Sequence, residues 1–206
     1  MSRRKRTRHW LRGHRRDPYV QSAKRAGFRS RAAYKLQQID ARDGIFAPGQ
    51  TIVDLGAAPG GWSQVAAARV APGGRVLALD KLPMESLPGV EFIQGDLLSP
   101  QFCEALREAL GGARADVVMS DMAPNISGIR DADQARALAL ALHALSFAET
   151  VLGSPGIFLV KAFQGADMDE LVSRLQQKFD QVDFRKPGAS RDKSGEVYLL
   201  ARGYGV

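Results

Sequence analysis

Short, mainly apolar runs recur along the chain, separated by stretches with helical spacing. The runs are Thr51-Ile-Val-Asp-Leu55, Arg75-Val-Leu-Ala-Leu-Asp80, Val90-Glu-Phe-Ile-Gln94, Ala115-Asp-Val-Val-Met-Ser-Asp121 and Gly156-Ile-Phe-Leu-Val-Lys161. Runs of this length between turn residues suit strands covered on both faces. The spacing predicts a helix opening at Trp62 and running to Arg69. It predicts others over Pro100–Leu110, with Ser99 as cap and Gly111-Gly112 as stop, over Ala132–Leu152 and over Met168–Phe179. Upstream, Ser30 caps a predicted helix whose inward positions are Ala32, Leu36 and Ile39, and Gly44 ends it. After residue 180 the rhythm changes: Gln181–Lys186 and Glu196–Arg202 read as strands joined by a polar loop, with no helix between them, so they pair antiparallel. The pattern predicts an α/β chain with a doubly wound, seven-stranded, mostly parallel sheet and an antiparallel last strand.

Composition adds one asymmetry. The chain of 206 residues carries a net charge of +7, yet residues 1–35 hold thirteen Lys/Arg against a single acid, Asp17. Residues 1–16 have too many like charges to fold alone and read as a disordered RNA-binding arm ahead of one domain over residues 17–206. His9, Trp10, His14, Tyr19 and Phe28, interleaved with the arginines, supply stacking surfaces for bases. The single cysteine, Cys103, excludes an internal disulfide and a cysteine-based zinc site, and no metal ligand set is read. No apolar run reaches the roughly 18 residues that span a bilayer, and no apolar segment follows the basic start, so the chain reads as cytoplasmic.

The candidate chemistry begins at Asp54-Leu-Gly-Ala-Ala-Pro-Gly-Gly-Trp62. Gly56, Gly60 and Gly61 let the backbone turn sharply and approach a ligand where a Cβ would intrude. The spacing is neither the dinucleotide fingerprint nor the phosphate loop. In an open parallel sheet, ligands bind beyond the carboxyl ends of the strands. Asp80 ends the second strand there, 24 residues after Gly56, roughly the spacing at which an acid meets ribose hydroxyls in such folds. Asp96 lies just past the third strand, Asp121 ends the fourth and Lys161 the fifth. Glu196 opens a strand that runs backwards, so its start lies at the same edge. Lys161 leaves a buried strand, which makes it a candidate base. Lys35 sits beside the inward face of its helix, and its residue type alone predicts solvent exposure.

Two sets of motifs carry a resemblance. The glycine turn resembles the S-adenosylmethionine loop of class I methyltransferases. Ser30-Arg-Ala-Ala-Tyr-Lys-Leu36, Ser120-Asp-Met-Ala-Pro-Asn125, Val160-Lys-Ala-Phe-Gln164 and Ser190-Arg-x-Lys-Ser-x-Glu-Val-Tyr198 resemble, in order and context, the Lys-Asp-Lys-Glu tetrad of RNA ribose 2′-O-methyltransferases of the FtsJ family. The resemblance covers residues 17–206. It implies a Rossmann-like class I fold, S-adenosyl-L-methionine as cofactor and Lys35, Asp121, Lys161 and Glu196 as catalytic residues. It further implies a cofactor site lined by Gly60, Trp62, Asp80, Asp96 and Asp121, to which the turn adds Gly56 and Gly61. The implied substrate is a uridine 2′-hydroxyl of large-subunit (23S) ribosomal RNA, met within the large subunit by a monomer. The same reaction on transfer RNA or an mRNA cap is the alternative, as is a non-catalytic RNA-binding assembly factor. Other acceptors fit less well: Cys103 follows Phe102, not the proline of a cytosine-C5 nucleophile, and Asp121-Met-Ala-Pro-Asn lacks the aromatic residue that amino-group methylases stack on a flipped base.

Overall fold

A computed structural model describes residues 17–125, 127–165, 168–191 and 194–205. The basic arm, with His9, Trp10 and His14, lies outside the described residues. In chain order the elements are α1 (Pro18–Arg25), α2 (Ala32–Asp43), β1 (Thr51–Leu55), α3 (Gly61–Val70), β2 (Arg75–Asp80), β3 (Val90–Gln94), α4 (Pro100–Leu110), β4 (Ala115–Ser120), α5 (Arg130–Val151), β5 (Leu152–Phe163), α6 (Met168–Gln176), β6 (Phe179–Arg185) and β7 (Glu196–Tyr204).

The apolar runs form the middle of a seven-stranded sheet of order β3-β2-β1-β4-β5-β7-β6. Strands β3, β2, β1, β4 and β5 are parallel. Strand β7 inserts between β5 and β6, antiparallel to both. Successive residues point to opposite faces, so each strand feeds two cores. Ile52, Val76, Val117, Met119 and Leu159 pack with Leu36 and Ile39 of α2 and Trp62 and Val65 of α3. Val53, Leu77, Val118, Phe158 and Val160 meet Leu106 of α4, Leu145 of α5 and Leu171 of α6.

The elements depart from the sequence reading mostly at their ends. Helix α1 was not read from the chain; the Asp17 carboxylate caps it by accepting the Tyr19 amide at 3.0 Å, and Pro18 fits its first turn. Ser30 is not the cap of α2: Arg31 holds that position, and the Ser30 carbonyl accepts the Ala33 amide in the turn before it. Gly44 does end α2, in a left-handed conformation at φ 58°. Helix α6 stops at Gln176 because Phe179 joins β6 and packs its buried ring against Phe158 and Tyr204. Leu152 leaves α5 and starts β5, pairing with Ala115.

This topology fixes the functional edge. The parallel strands end, and β7 begins, on one side of the sheet, which brings Asp80, Asp121, Lys161 and Glu196 to a common rim.

Candidate active site

Two lysine–carboxylate pairs meet at that rim. The Lys161 ammonium, at the buried end of β5, donates to the Asp121 main-chain oxygen and, at 3.0 Å, to Asp121 Oδ1. The Lys35 ammonium donates to Glu196 Oε1 at 2.6 Å. Lys35 is 9% exposed, so the expectation of a solvated lysine is overturned. Its stem runs along the core face of α2, and a carboxylate supplied by β7, 161 residues away in sequence, receives its charge.

Tyr198 joins the pairs and was missed as a site residue. Its hydroxyl accepts from Lys35 Nζ at 3.1 Å and donates to Asp121 Oδ1 at 2.7 Å. Glu196 Oε1 is also near, at 3.3 Å, but one hydroxyl proton serves the shorter contact. Strand alternation carried the signal, since Glu196 and Tyr198 share a face of β7. Register completes the placement: Lys161 pairs with Tyr198, and Phe163 with Glu196. Ser190 adds a hydroxyl to Glu196 Oε1 at 2.9 Å. The cluster holds two cations and two carboxylates, so its members offset one another's charge in a buried setting.

Burial pushes the Glu196 carboxyl up, but Lys35, then Lys161 and Ser190, outweigh it and hold the group below its ordinary value. Glu196 is therefore ionised. Burial, reinforced by Asp121 and Glu196, raises Tyr198 well above the usual phenol, which keeps its proton in place as a donor.

Beside the pairs lies a cleft of about 340 Å³ whose walls include Gly56, Asp80, Asp96, Asp121, Leu97 and Met122. Of the predicted ligand-binding residues, Gly56, Asp80, Asp96 and Asp121 come together here. Asp80 is oriented by the amides of Ala58 and Leu82, at 2.9 and 2.8 Å, and Asp96 by the amide of Leu98 at 3.0 Å. Each carboxylate keeps acceptor capacity toward the cleft. Gly56 adopts φ 75°, and a Cβ there would lie 2.2 Å from Met122 Cγ; the loop before α3 and the loop after β4 can approach only across a glycine. Gly60, at φ 105°, caps α3, and neither it nor Gly61, both expected to bind the cofactor, lines the cleft. The Trp62 ring is buried in the core and does not line the cleft; it packs tilted against Tyr198, ring centroids 5.6 Å apart, with its Nε1 donating to the Ala32 carbonyl at 2.9 Å. Asp54, fully buried at the end of β1, accepts the Ser63 hydroxyl at 2.6 Å. Burial first, and the charges of Asp121 and Asp80 next, push its carboxyl up to about 7, against the pull of Ser63. Among the described residues, no group of three or more His, Cys, Asp or Glu is placed to hold a metal ion.

A mostly parallel sheet with a reversed seventh strand, and a cleft over the ends of its first strands, is the architecture of class I methyltransferases. The model of the FtsJ-like methyltransferase family matches residues 28–204. A ribosomal RNA large subunit methyltransferase E of Alkalilimnicola ehrlichii is 54% identical over 209 residues, covering 100% of both chains. The protein so named in Pseudomonas aeruginosa is 50% identical over 204 residues and covers 99% of each. A crystal structure from Plasmodium falciparum, described as a ribosomal RNA methyltransferase on inference, superposes with a TM-score of 0.79 at 29% identity, covering 86% of this chain and 98% of that one. This chain belongs to the FtsJ-like methyltransferase family.

Proposed function

We propose that the chain transfers a methyl group from S-adenosylmethionine to a uridine ribose 2′-hydroxyl of large-subunit ribosomal RNA, acting as a cytoplasmic monomer on the large subunit. The observation that carries this reading is the convergence of Lys35, Asp121, Lys161 and Glu196, joined by Tyr198, against the wall of a cleft suited to the donor. The names of the relatives support the ribosomal substrate.

The cleft fits the cofactor. Asp80 has the position and free lone pairs to accept ribose hydroxyls, Asp96 can accept from an amino group, and Leu97 and Met122 offer apolar surface. When bound, S-adenosylmethionine supplies an electrophilic methyl group on a cationic sulfur. The chain must do the rest. A ribose hydroxyl is a weak nucleophile, so its proton must leave as the oxygen takes the methyl. Lys161 acts as the base in its neutral amine form: its ammonium first releases a proton to solvent, and the free Nζ lone pair then takes the proton of the hydroxyl. Asp121 aims the amine through its carboxylate and its carbonyl, and Tyr198 holds the carboxylate in turn. Lys35 and Glu196 steady the other side of the acceptor sugar. An in-line displacement is above all a positioning task, and this network supplies a fixed frame for it.

The test is methyl transfer from labelled cofactor to purified large subunits, with mapping of the modified nucleotide. The reading predicts label on a single ribose 2′-oxygen; label on a base, or on transfer RNA alone, contradicts it.

A further inference from the structure

A second cavity opens at the same edge of the sheet. It has a volume of about 350 Å³ and is lined by Pro124, Arg130, Asp133, Gln134, Phe163, Gln164 and Gly195; the Asp133 carboxylate is already paired with Arg136 and the Ser127 and Gly128 amides. Pro124 borders both this cavity and the donor cleft. Phe163 lies two residues beyond Lys161 on β5 and pairs with Glu196. Its ring is half-buried. The amide of Gln164 donates to the Gly195 carbonyl at 2.8 Å, and Gln134 Nε2 donates to the Gln164 carbonyl at 3.0 Å. The walls of the cavity are thus tied to one another, and its side chains take no part in the lysine–carboxylate network.

We infer that this cavity receives the base of the acceptor nucleotide, turned out of its stack, with Phe163 as the stacking surface and the Gln134 and Gln164 amides reading the edge of the base. The inference rests on the 2′-O-methylation reading. A nucleobase is attached to C1′, the carbon next to C2′, so it must lie within one sugar ring of the oxygen that Lys161 serves. The donor cleft is taken by the cofactor, and the second cavity adjoins it through the shared Pro124. Its chemistry suits a base: an aromatic face to stack on, and two carboxamides that each present a donor and an acceptor. The Arg130 guanidinium at its rim suits a phosphate. Sequence-specific RNA recognition works through splayed bases stacked on aromatic rings and hydrogen-bonded along their edges, and an enzyme acting on one nucleotide commonly extrudes it from the helix.

The experiment compares single-turnover methyl transfer to large subunits carrying the natural acceptor base with transfer to subunits in which that base is replaced, using wild type, Phe163→Ala and Gln134→Ala. Wild type should discriminate against the replaced base. Gln134→Ala should narrow that discrimination about tenfold, the loss of an edge contact, and Phe163→Ala should slow transfer to the natural subunit about tenfold, as loss of one stacked base predicts. Titration with S-adenosylmethionine should give wild-type affinity for both variants, which separates a lost base contact from a misfolded chain. If Phe163→Ala fails that control, Gln134→Ala, on the surface of α5, decides alone. An unchanged discrimination ratio overturns the inference, as does a wild-type enzyme indifferent to the base. Absence of any 2′-O-methyl product from wild type would instead remove the functional reading beneath it.

Discussion

Tyr198 turns two separate lysine–carboxylate pairs into one unit. Replacing it with phenylalanine keeps the ring against Trp62 but strips Lys35 and Asp121 of a shared partner. Hydrogen bonds to charged groups contribute about 1.5–3 kcal/mol, so Tyr198→Phe should lower stability by that amount in denaturant titrations. Turnover should fall about tenfold, the kinetic equivalent of the low end of that range. Unchanged stability and turnover would show that the pairs work independently. Asp54 offers a test by pH. Its carboxyl rises from 3.8 to about 7 in the folded chain. A raised value favours the folded state below about pH 4, and that contribution is lost as pH climbs through about 7. Wild type should therefore lose thermal stability relative to Asp54→Asn between about pH 4 and about pH 7 without cofactor, and the difference should level off above that. A constant difference across that window would contradict the buried, protonated carboxyl. Among single residues, placement was readable where it follows from a strand end, as for Asp80, Asp121 and Lys161, which meet at one rim of the sheet. The sequence misled at Lys35, because the partner that makes burial tolerable, Glu196, comes from the far end of the chain.

Elements were legible in their centres and not at their limits. Periodicity locates the buried middle of β5, but the extension to Leu152 depends on pairing with Ala115, a contact that no local pattern encodes. Phe179 fits the apolar stripe of α6 equally well, and tertiary stacking on Phe158 draws it into β6 instead. Helix α1 escaped notice because its cationic surroundings mask a short segment stabilised by the Asp17 cap and by the ion pair of Asp17 with Arg31. The reversed β7 is anchored to α2 by a link that sequence distance conceals. Arg185 of β6 grips Asp43 at 2.7 and 2.8 Å, and Arg202 of β7 donates to the Asp43 carbonyl at 2.6 Å. The hydrogen bonds from Arg185 lead the effects that hold Asp43 below the usual carboxylate range, against a smaller cost of burial. A depressed carboxyl stabilises the fold above its unfolded value and loses that contribution as pH falls through the folded one. Asp43→Ala should thus cost about 1.5–3 kcal/mol near neutrality and progressively less below pH 4. A loss that stays constant into acid would place the effect in packing instead of charge.

Across the whole molecule, a strongly basic stretch at residues 1–16 precedes the sheet edge that holds the cleft and Lys161. If residues 1–16 track phosphates, their deletion should weaken binding to RNA and flatten its salt dependence by roughly 0.7 in slope per lost contact, with cofactor affinity unchanged. An unaltered slope would return the arm to a solubilising role. The arrangement of the sheet was legible from the order of apolar runs, because parallel strands buried on both faces leave a plain signature. The route by which distant segments converge on Lys161 was not, since register and the insertion of β7 are set by the packed sheet as a whole. Whether Lys161 takes a proton is tested by single-turnover methyl transfer to large subunits by wild type, Lys161→Ala and Lys161→Arg, with cofactor affinity measured alongside. General base catalysis contributes about 10²–10⁴-fold. Both variants should fall by that factor while still binding cofactor, because a guanidinium keeps the charge but does not deprotonate in proteins. Near-normal transfer by Lys161→Arg would rule out proton transfer to Lys161 and leave it a purely electrostatic or positioning role.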